Sequence, residues 1–149
     1  TKELDNYVER NSEESGKYIV SAAYLDLDNF KYCNDTYGDK FGDSLLCKTA
    51  EILRSNTRGY DLLFRLGGDE FLIIMPETDM EKALKITDRI RLEIEKKLNE
   101  SGKTEVTASI GVSSSGGETV AGMHELIHLA DSALLKSKER GKNRITSNG

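Results

Sequence analysis

Long hydrophobic runs are absent from this chain of 149 residues: no apolar stretch approaches the roughly 20 residues that cross a bilayer, which excludes a spanning helix. The opening Thr1-Lys2-Glu3-Leu4 has no apolar signal core, so nothing in it directs export, and a cytoplasmic location is expected. Cysteine is scarce. Cys33 and Cys47 have neither a CxxC spacing nor a secretory context, and they read as reduced thiols rather than a disulfide. Positive charge is in deficit, with 21 Lys plus Arg against 26 Asp plus Glu and a formal net charge of -5. That balance argues against non-specific binding along a nucleic acid polymer or an acidic membrane, so a polyanionic partner needs a local cationic site or a metal. There is a single proline and no long biased tract. With 37% hydrophobic and 32% charged residues, the composition is that of a folded domain rather than a disordered segment. The length suits one domain and leaves no room for a second.

What is present is a clear alternation of periods. Leu4, Tyr7 and Val8 have helical spacing, and Asn11-Ser12-Glu13-Glu14-Ser15-Gly16 breaks it as a polar loop. Tyr18 to Leu27 is nearly continuous apolar sequence, the pattern of a central strand covered on both faces, with Asp26 and Asp28 at its carboxyl end. Asn34-Asp35-Thr36-Tyr37-Gly38 reads as a turn. Leu46, Ala50 and Leu53 then predict a helix from about Asp43 to Arg58, with Asp43 where an N-cap belongs. Leu62 to Leu66 and Phe71 to Met75, separated by Gly67-Gly68-Asp69-Glu70, have the pattern of a β-hairpin that Pro76 ends. Ala83, Ile86, Ile90, Ile94 and Leu98 stripe a helix from roughly Asp79. Thr104 to Ser113 is a fourth strand, Met123 to Leu134 stripes a last helix terminated by Gly141, and Arg144 to Thr146 adds a short edge strand. The order α, β, α, hairpin, α, β, α, β, without an internal repeat, implies a mostly antiparallel sheet with helices packed against it.

The chemistry-bearing residues gather at strand ends. Asp26 and Asp28 close the most apolar strand, and Asp69 and Glu70 occupy a hairpin turn, so four acids are expected near the middle of the sheet. Like charges a few ångströms apart are costly unless a cation neutralises them, and hard oxygen ligands suit Mg2+ or Mn2+ rather than zinc. The alternative on spacing alone is a solvated turn beside a strand end. Lys31 follows the first acidic pair, while Lys138 and Lys142 lie four apart, on one face of the last helix as it ends. A divalent ion with these lysines suits a triphosphate; taken singly, each lysine is ordinary surface charge.

At Arg65-Leu66-Gly67-Gly68-Asp69-Glu70-Phe71 the chain resembles the signature of the GGDEF family, the bacterial diguanylate cyclases that condense two GTP molecules into cyclic di-GMP. Upstream, Asp26-Leu27-Asp28-Asn29-Phe30-Lys31, Asn34-Asp35-Thr36-Tyr37-Gly38 and Gly42-Asp43 follow the family's DxDxFKxxNDxxGxxxGD block. Downstream, Val106-Thr107-Ala108-Ser109-Ile110-Gly111 resembles its TxSIG strand, and Ala130-Asp131-Ser132-Ala133-Leu134 with Lys138, Gly141 and Asn143 resembles its terminal ADxALxxxKxxGxN helix. The resemblance runs from about Tyr18 to Arg144. It implies an α/β (α+β) domain of the palm type, a ferredoxin-like, mostly antiparallel sheet with flanking helices, as in nucleotidyl cyclases. It also implies a single domain over residues 1–149, excised from a larger multidomain signalling protein, because the family's usual opening, DxLTGLxNR, is absent before Thr1.

Residue by residue, the resemblance implies that Asp26, the carbonyl of Leu27 and Asp69 ligate Mg2+ or Mn2+, with Glu70 as a second acidic group. Asp69, Glu70 and Lys31 are the candidate catalytic residues, and either acid could help deprotonate the attacking 3'-hydroxyl. Asn34 and Asp43 match residues that hydrogen-bond guanine, Gly67 and Gly68 let the backbone approach phosphates, and Phe30, Lys31, Lys138 and Lys142 match backbone or cationic phosphate contacts. Arg58-Gly59-Tyr60-Asp61 stands five residues before Gly67, where family members carry the RxxD inhibitory site for cyclic di-GMP. The implied partners are GTP, cyclic di-GMP as product and inhibitor, and a second copy of the chain. Three positions depart from the family's habit: Asp39 where His is common, Leu135 where Tyr is common, and Lys142 where Arg is common, which keeps a charge but loses the bidentate fork. The alternative is a non-catalytic receptor for GTP or cyclic di-GMP; the intact Gly-Gly-Asp-Glu-Phe run speaks against it.

Overall fold

The computed structural model describes residues 2–11, 19–115 and 122–148, of residues 7–11 the backbone alone. In chain order the elements are α1 (Lys2–Asn11), β1 (Val20–Asp28), α2 (Phe30–Tyr37), α3 (Asp39–Asn56), β2 (Leu62–Arg65), β3 (Glu70–Pro76), α4 (Met80–Lys97), β4 (Thr107–Ser114), α5 (Met123–Glu139) and β5 (Arg144–Asn148). The near-continuous apolar run does form the middle strand. Five strands lie in the order β2-β3-β1-β4-β5. β1 pairs antiparallel with both β3 and β4, β2 and β3 make the expected hairpin, and β5 alone runs parallel to its neighbour β4.

The strand period of two sorts β1 between two cores. Ala23, Leu25 and Leu27 join Ile73, Met75, Ile110 and Val112 in a large cluster with Ile52 and Leu53 of α3 and Ile90 and Ile94 of α4. Ala22, with Tyr24 partly buried beside it, joins Leu72 and Ile74 in a smaller cluster with Leu4, Leu126 and Ala130. Both faces of the central strands are therefore covered, which is why they lack a polar face. Each fully buried Leu or Ile contributes roughly 1.5–3 kcal/mol relative to exposure. On the second face α5 presses directly on β4. A Cβ on Gly111 would strike the α5 backbone at Ala130 and Leu134, so only glycine admits the helix at this depth.

Three expectations are corrected. The stretch Asn34–Gly38 is not a turn: Asn34 to Tyr37 complete α2, and Gly38, at φ 93, separates it from α3. Burial of Cys33 and packing of Phe30 and Phe41 against the large core outweigh the turn preference of Asn and Asp. Asp43 is not an N-cap, because α3 starts at Asp39, one turn earlier than expected, and ends at Asn56 rather than Arg58. Gly42 is helical, and a side chain there would run into the Asn34 amide of the adjacent helix. Nor do Lys138 and Lys142 share a helical face. α5 ends at Glu139, and positive φ at Gly141 (124) and Lys142 (66) turns the chain away before Lys142. The polar loop expected after the first helix lies, beyond Asn11, outside the described residues. Asp79 caps α4 by accepting from the backbone N–H of Lys82.

Candidate active site

Period two carries Tyr24, Asp26 and Asp28 to the α5 side of β1. Glu70 stands opposite Asp26 in the β1–β3 register, and the backbone N–H of Leu27 donates to the carbonyl of Asp69 at 3.1 Å, which ties the strand end to the hairpin turn. Asp26, Asp69 and Glu70 are thereby brought together.

The two strand aspartates stand in opposite environments. Asp28 is 1% exposed and enclosed by donors: Thr107 Oγ1, Ser109 Oγ and Lys138 Nζ, each at 2.7 Å, and the backbone N–H of Asn143 at 3.1 Å. Burial alone would raise its pKa, but these four bonds outweigh burial and hold the carboxylate below its ordinary range. Asp26 Oδ2 lies 3.3 Å from the same ammonium, whereas its buried Oδ1 has no hydrogen-bond partner. Burial first, and then the neighbouring Asp69 carboxylate, push Asp26 up to about 6 against the pull of Lys138. An orphaned carboxylate oxygen beside a second carboxylate is the arrangement a hard cation relieves. Among the described residues no group of three or more His, Cys, Asp or Glu side chains is placed to hold a metal ion by itself, so an ion here depends on main-chain and ligand oxygens as well.

The turn above these acids is held from one side and open on the other. Leu66 N–H donates to the carbonyl of Glu70, while the Arg65 guanidinium donates to the carbonyls of Gly67 and Gly68 at 3.2 and 2.9 Å. A Cβ on either glycine would meet nothing within 4 Å. The chain's own packing therefore does not demand glycine there, and the backbone is bare toward solvent. At the start of α2, half-buried Phe30 and exposed Lys31 follow Asn29, whose side chain does not cap the helix, and no acidic residue lies in the first turn. That end is left electropositive. Lys142 is exposed beyond α5, and Lys138 is engaged by Asp26 and Asp28.

Asn34 and Asp43 flank the contact between α2 and α3. Asn34 Nδ2 donates to Asp39 Oδ1 at 3.2 Å, and its Oδ1 lies against Gly42. Exposed Asp43 stands at the rim of a cavity of about 490 Å3 between α3 and the hairpin, with apolar walls from Leu46, Leu53, Leu63 and Phe71. A carboxylate beside an apolar slot suits a flat base with a donor edge.

Comparison with known proteins agrees with this architecture. The family described as "Diguanylate cyclase, GGDEF domain" matches residues 1–144. The chain belongs to the GGDEF domain family. It is 38% identical over 138 residues to diguanylate cyclase A of Treponema denticola, covering 91% of this chain and 37% of that protein. It is 40% identical over 126 residues to the diguanylate cyclase DgcM of Escherichia coli K12, covering 84% and 30%. The GGDEF domain thus spans about a third of the length of these relatives. Among solved structures it superposes on the GGDEF domain of DgcB from Caulobacter crescentus in complex with c-di-GMP with a TM-score of 0.85, at 28% identity, covering 98% of this chain and 88% of that one.

The RxxD pair of this GGDEF domain sits at the opposite end of the hairpin from the acids. Arg58 and Asp61 grip each other: the Arg58 backbone N–H and Nε donate to Asp61 Oδ2 at 2.7 and 3.0 Å, and Nη2 donates to Oδ1 at 2.9 Å and also to Thr78 Oγ1. The guanidinium lies 4.5 Å from the centroid of the Tyr60 ring. The bond to Asp61 raises the already high pKa of Arg58. The Asp61 side chain is fully buried, so this pair also closes the loop before β2.

Sequence reasoning missed Arg65 as the clamp of the turn, Thr107, Ser109 and Asn143 as the cage of Asp28, and Tyr24, whose hydroxyl donates to Glu70 Oε2 at 3.1 Å. Tyr24 carried a readable signal, standing two residues before Asp26 and hence on its face. The cage of Asp28 carried none, since it depends on how α5 crosses the sheet. No helix among the described residues is long and apolar enough to cross a membrane.

Proposed function

We propose that this GGDEF domain condenses two GTP molecules into cyclic di-GMP with release of pyrophosphate, in the presence of Mg2+ or Mn2+. The observation that carries the reading is the buried, unpartnered Oδ1 of Asp26 beside Asp69, beneath a turn whose glycine backbone is open. Asp26, Asp69 and the carbonyl of Leu27 hold the ion, with Glu70 as the further acid. When bound, the ion acts as a Lewis acid that lowers the pKa of the 3'-hydroxyl and offsets charge at the α-phosphate. Asp69 or Glu70 takes the hydroxyl proton. Gly67 and Gly68 let backbone N–H groups approach the phosphates, as do Phe30 and Lys31 at the electropositive start of α2. Lys31, Lys138 and Lys142 offset the charge of the triphosphate and of the departing pyrophosphate.

Asn34 and Asp43 read the base. A carboxylate accepts from guanine N1–H and from its 2-amino group, whereas adenine presents a lone pair at N1 and no 2-amino group. Each chain carries one set of acids and one base site, yet the product contains two new phosphodiester bonds. The active unit is therefore a two-fold dimer in which each GTP offers its 3'-hydroxyl to the α-phosphate of the other. Cyclic di-GMP inhibits by binding at the pair Arg58 and Asp61, far from the acids along the hairpin, with the partly exposed guanidinium as the contacting group and the buried carboxylate holding it.

The test is incubation with GTP and Mg2+ followed by chromatography of the nucleotides over a range of protein concentrations. Cyclic di-GMP is expected, at a rate per chain that rises as dimers form. Unchanged GTP at concentrations where the protein is dimeric would reject catalysis in favour of a receptor role, and a constant rate per chain where it is monomeric would reject the dimer.

A further inference from the structure

We propose that Tyr24 is a positioning residue for the metal site, its hydroxyl fixing the carboxylate of Glu70, the residue that stands across the ladder from Asp26 and follows Asp69. The inference rests on the metal-dependent reading above and adds a residue to it. Tyr24 lies on the α5 side of β1, two residues before Asp26. Its neighbours across the ladders are Leu72 of β3 and Gly111 of β4. Gly111 has no side chain, and the α5 backbone lies directly on it, so the space beside Tyr24 is bounded by glycine and the helix rather than by a movable side chain. The ring packs against the cluster of Ala22, Leu72 and Ala130. A side chain with only two rotatable bonds, held this way, presents its hydroxyl at a set height along the strand. There it donates to Glu70 Oε2 at 3.1 Å.

Glu70 lacks the ammonium that pairs with Asp26. It is the first residue of β3, with three side-chain torsions, and its immediate neighbours across the ladder and in the chain are two further acidic residues, Asp26 and Asp69. Like charges drive it outward into solvent, and Lys138 lies within ion-pair distance of Asp26 and Asp28, not of Glu70. The phenol counters this with a donor anchored in the core. Groups of this kind, bonded to a candidate ligand rather than to the ion, typically alter metal affinity or activity 10- to 100-fold when removed.

Tyr24→Phe keeps the ring and its packing and removes only the hydroxyl. The experiment measures binding of Mn2+ by electron paramagnetic resonance of the free ion, with a non-hydrolysable GTP analogue present, for wild type, Tyr24→Phe, Glu70→Ala and the double variant. Thermal melting serves as the check on folding. Mn2+ affinity is expected to fall about tenfold in Tyr24→Phe, with nucleotide affinity measured without metal unchanged. No further loss is expected from Tyr24→Phe in the Glu70→Ala background, which removes the acceptor, since the hydroxyl acts only through that carboxylate. Tyr24→Met, a second apolar replacement that lacks the hydroxyl, gives the same loss. Wild-type affinity in a folded Tyr24→Phe overturns the role, as does an equal loss with and without Glu70. A wild-type domain that takes up no Mn2+ with nucleotide would overturn the metal reading itself, a result distinct from either.

Discussion

Replacing Asp26 by Asn is expected to stabilise the metal-free domain while abolishing its use of metal. In the folded chain burial and Asp69 raise the Asp26 pKa from 3.8 to about 6. Between those values the folded state binds more protons than the unfolded one, so stability falls as pH rises through the window and the full cost is felt above about 6. A shift of that size corresponds to at most about 3 kcal/mol. The side chain keeps 25% of its exposure, and screening by solvent brings the expected figure to about 1–2 kcal/mol. Asn is neutral at all these pH values and leaves Lys138 paired with Asp28. The melting temperature without metal at pH 7.5 should therefore rise by about 3–6 °C for a domain of this size, and the gain should shrink toward pH 4. Adding Mn2+ should raise the wild-type midpoint, since an ion that binds only the folded state stabilises it, and leave the variant unmoved. An Asp26→Asn variant that melts at or below the wild-type midpoint at pH 7.5 without metal would refute the reasoning, because Asp26 would then be a satisfied carboxylate rather than a frustrated one.

Three other substitutions probe separate parts of the site. Lys138→Met removes the cation between Asp26 and Asp28, so it should lower the melting temperature by leaving Asp28 buried without its counter-charge, yet tighten binding of Mn2+ in the absence of nucleotide; titration calorimetry that finds weaker metal binding would reject Lys138 as a competitor for Asp26. Arg58→Ala should weaken binding of cyclic di-GMP and raise product yield without improving GTP affinity, and equal affinity for cyclic di-GMP in variant and wild type would reject the site. Asp43→Ser should admit adenine, which wild type is expected to discriminate against by up to about ten-thousandfold. Competition between GTP and ATP with products identified by mass tests this, and equal adenine incorporation by wild type would remove Asp43 from recognition.

Much of the fold was legible because its elements carry strong periods. The β1 run, the hairpin around Gly67-Gly68 and the stripes of α4 and α5 all form where the pattern put them, and the edge strand after Gly141 pairs with β4. What failed has a common cause. Asn34-Asp35-Thr36-Tyr37 has the composition of a turn and becomes helical because Phe30 and Cys33, one turn apart, reach the large core. The pattern predicts a helix only from about Asp43, yet Gly42 lies within α3, where its missing side chain admits the amide of Asn34. In both places contact with a distant part of the chain overrides local preference, and a one-dimensional pattern holds no record of such contact.

The same limit governs the acids. Asp26 and Asp28 are identical in type, share one face of one strand, and were indistinguishable by period or by charge. Their difference arises from what crosses above them. α5 brings Lys138 within 2.7 Å of Asp28 and 3.3 Å of Asp26, β4 adds the hydroxyls of Thr107 and Ser109, and the turn after α5 adds the N–H of Asn143. All of these serve Asp28, whereas Asp26 has the ammonium on one oxygen and nothing on the other. Four donors make one aspartate a structural tie between β1, β4 and the end of α5. With only the shared ammonium, the other, two residues away, carries a charge the fold does not fully compensate. A buried carboxylate oxygen without a donor lowers stability, and its position at the strand end, beside Asp69 and under an open glycine turn, is the feature on which the proposed metal site rests.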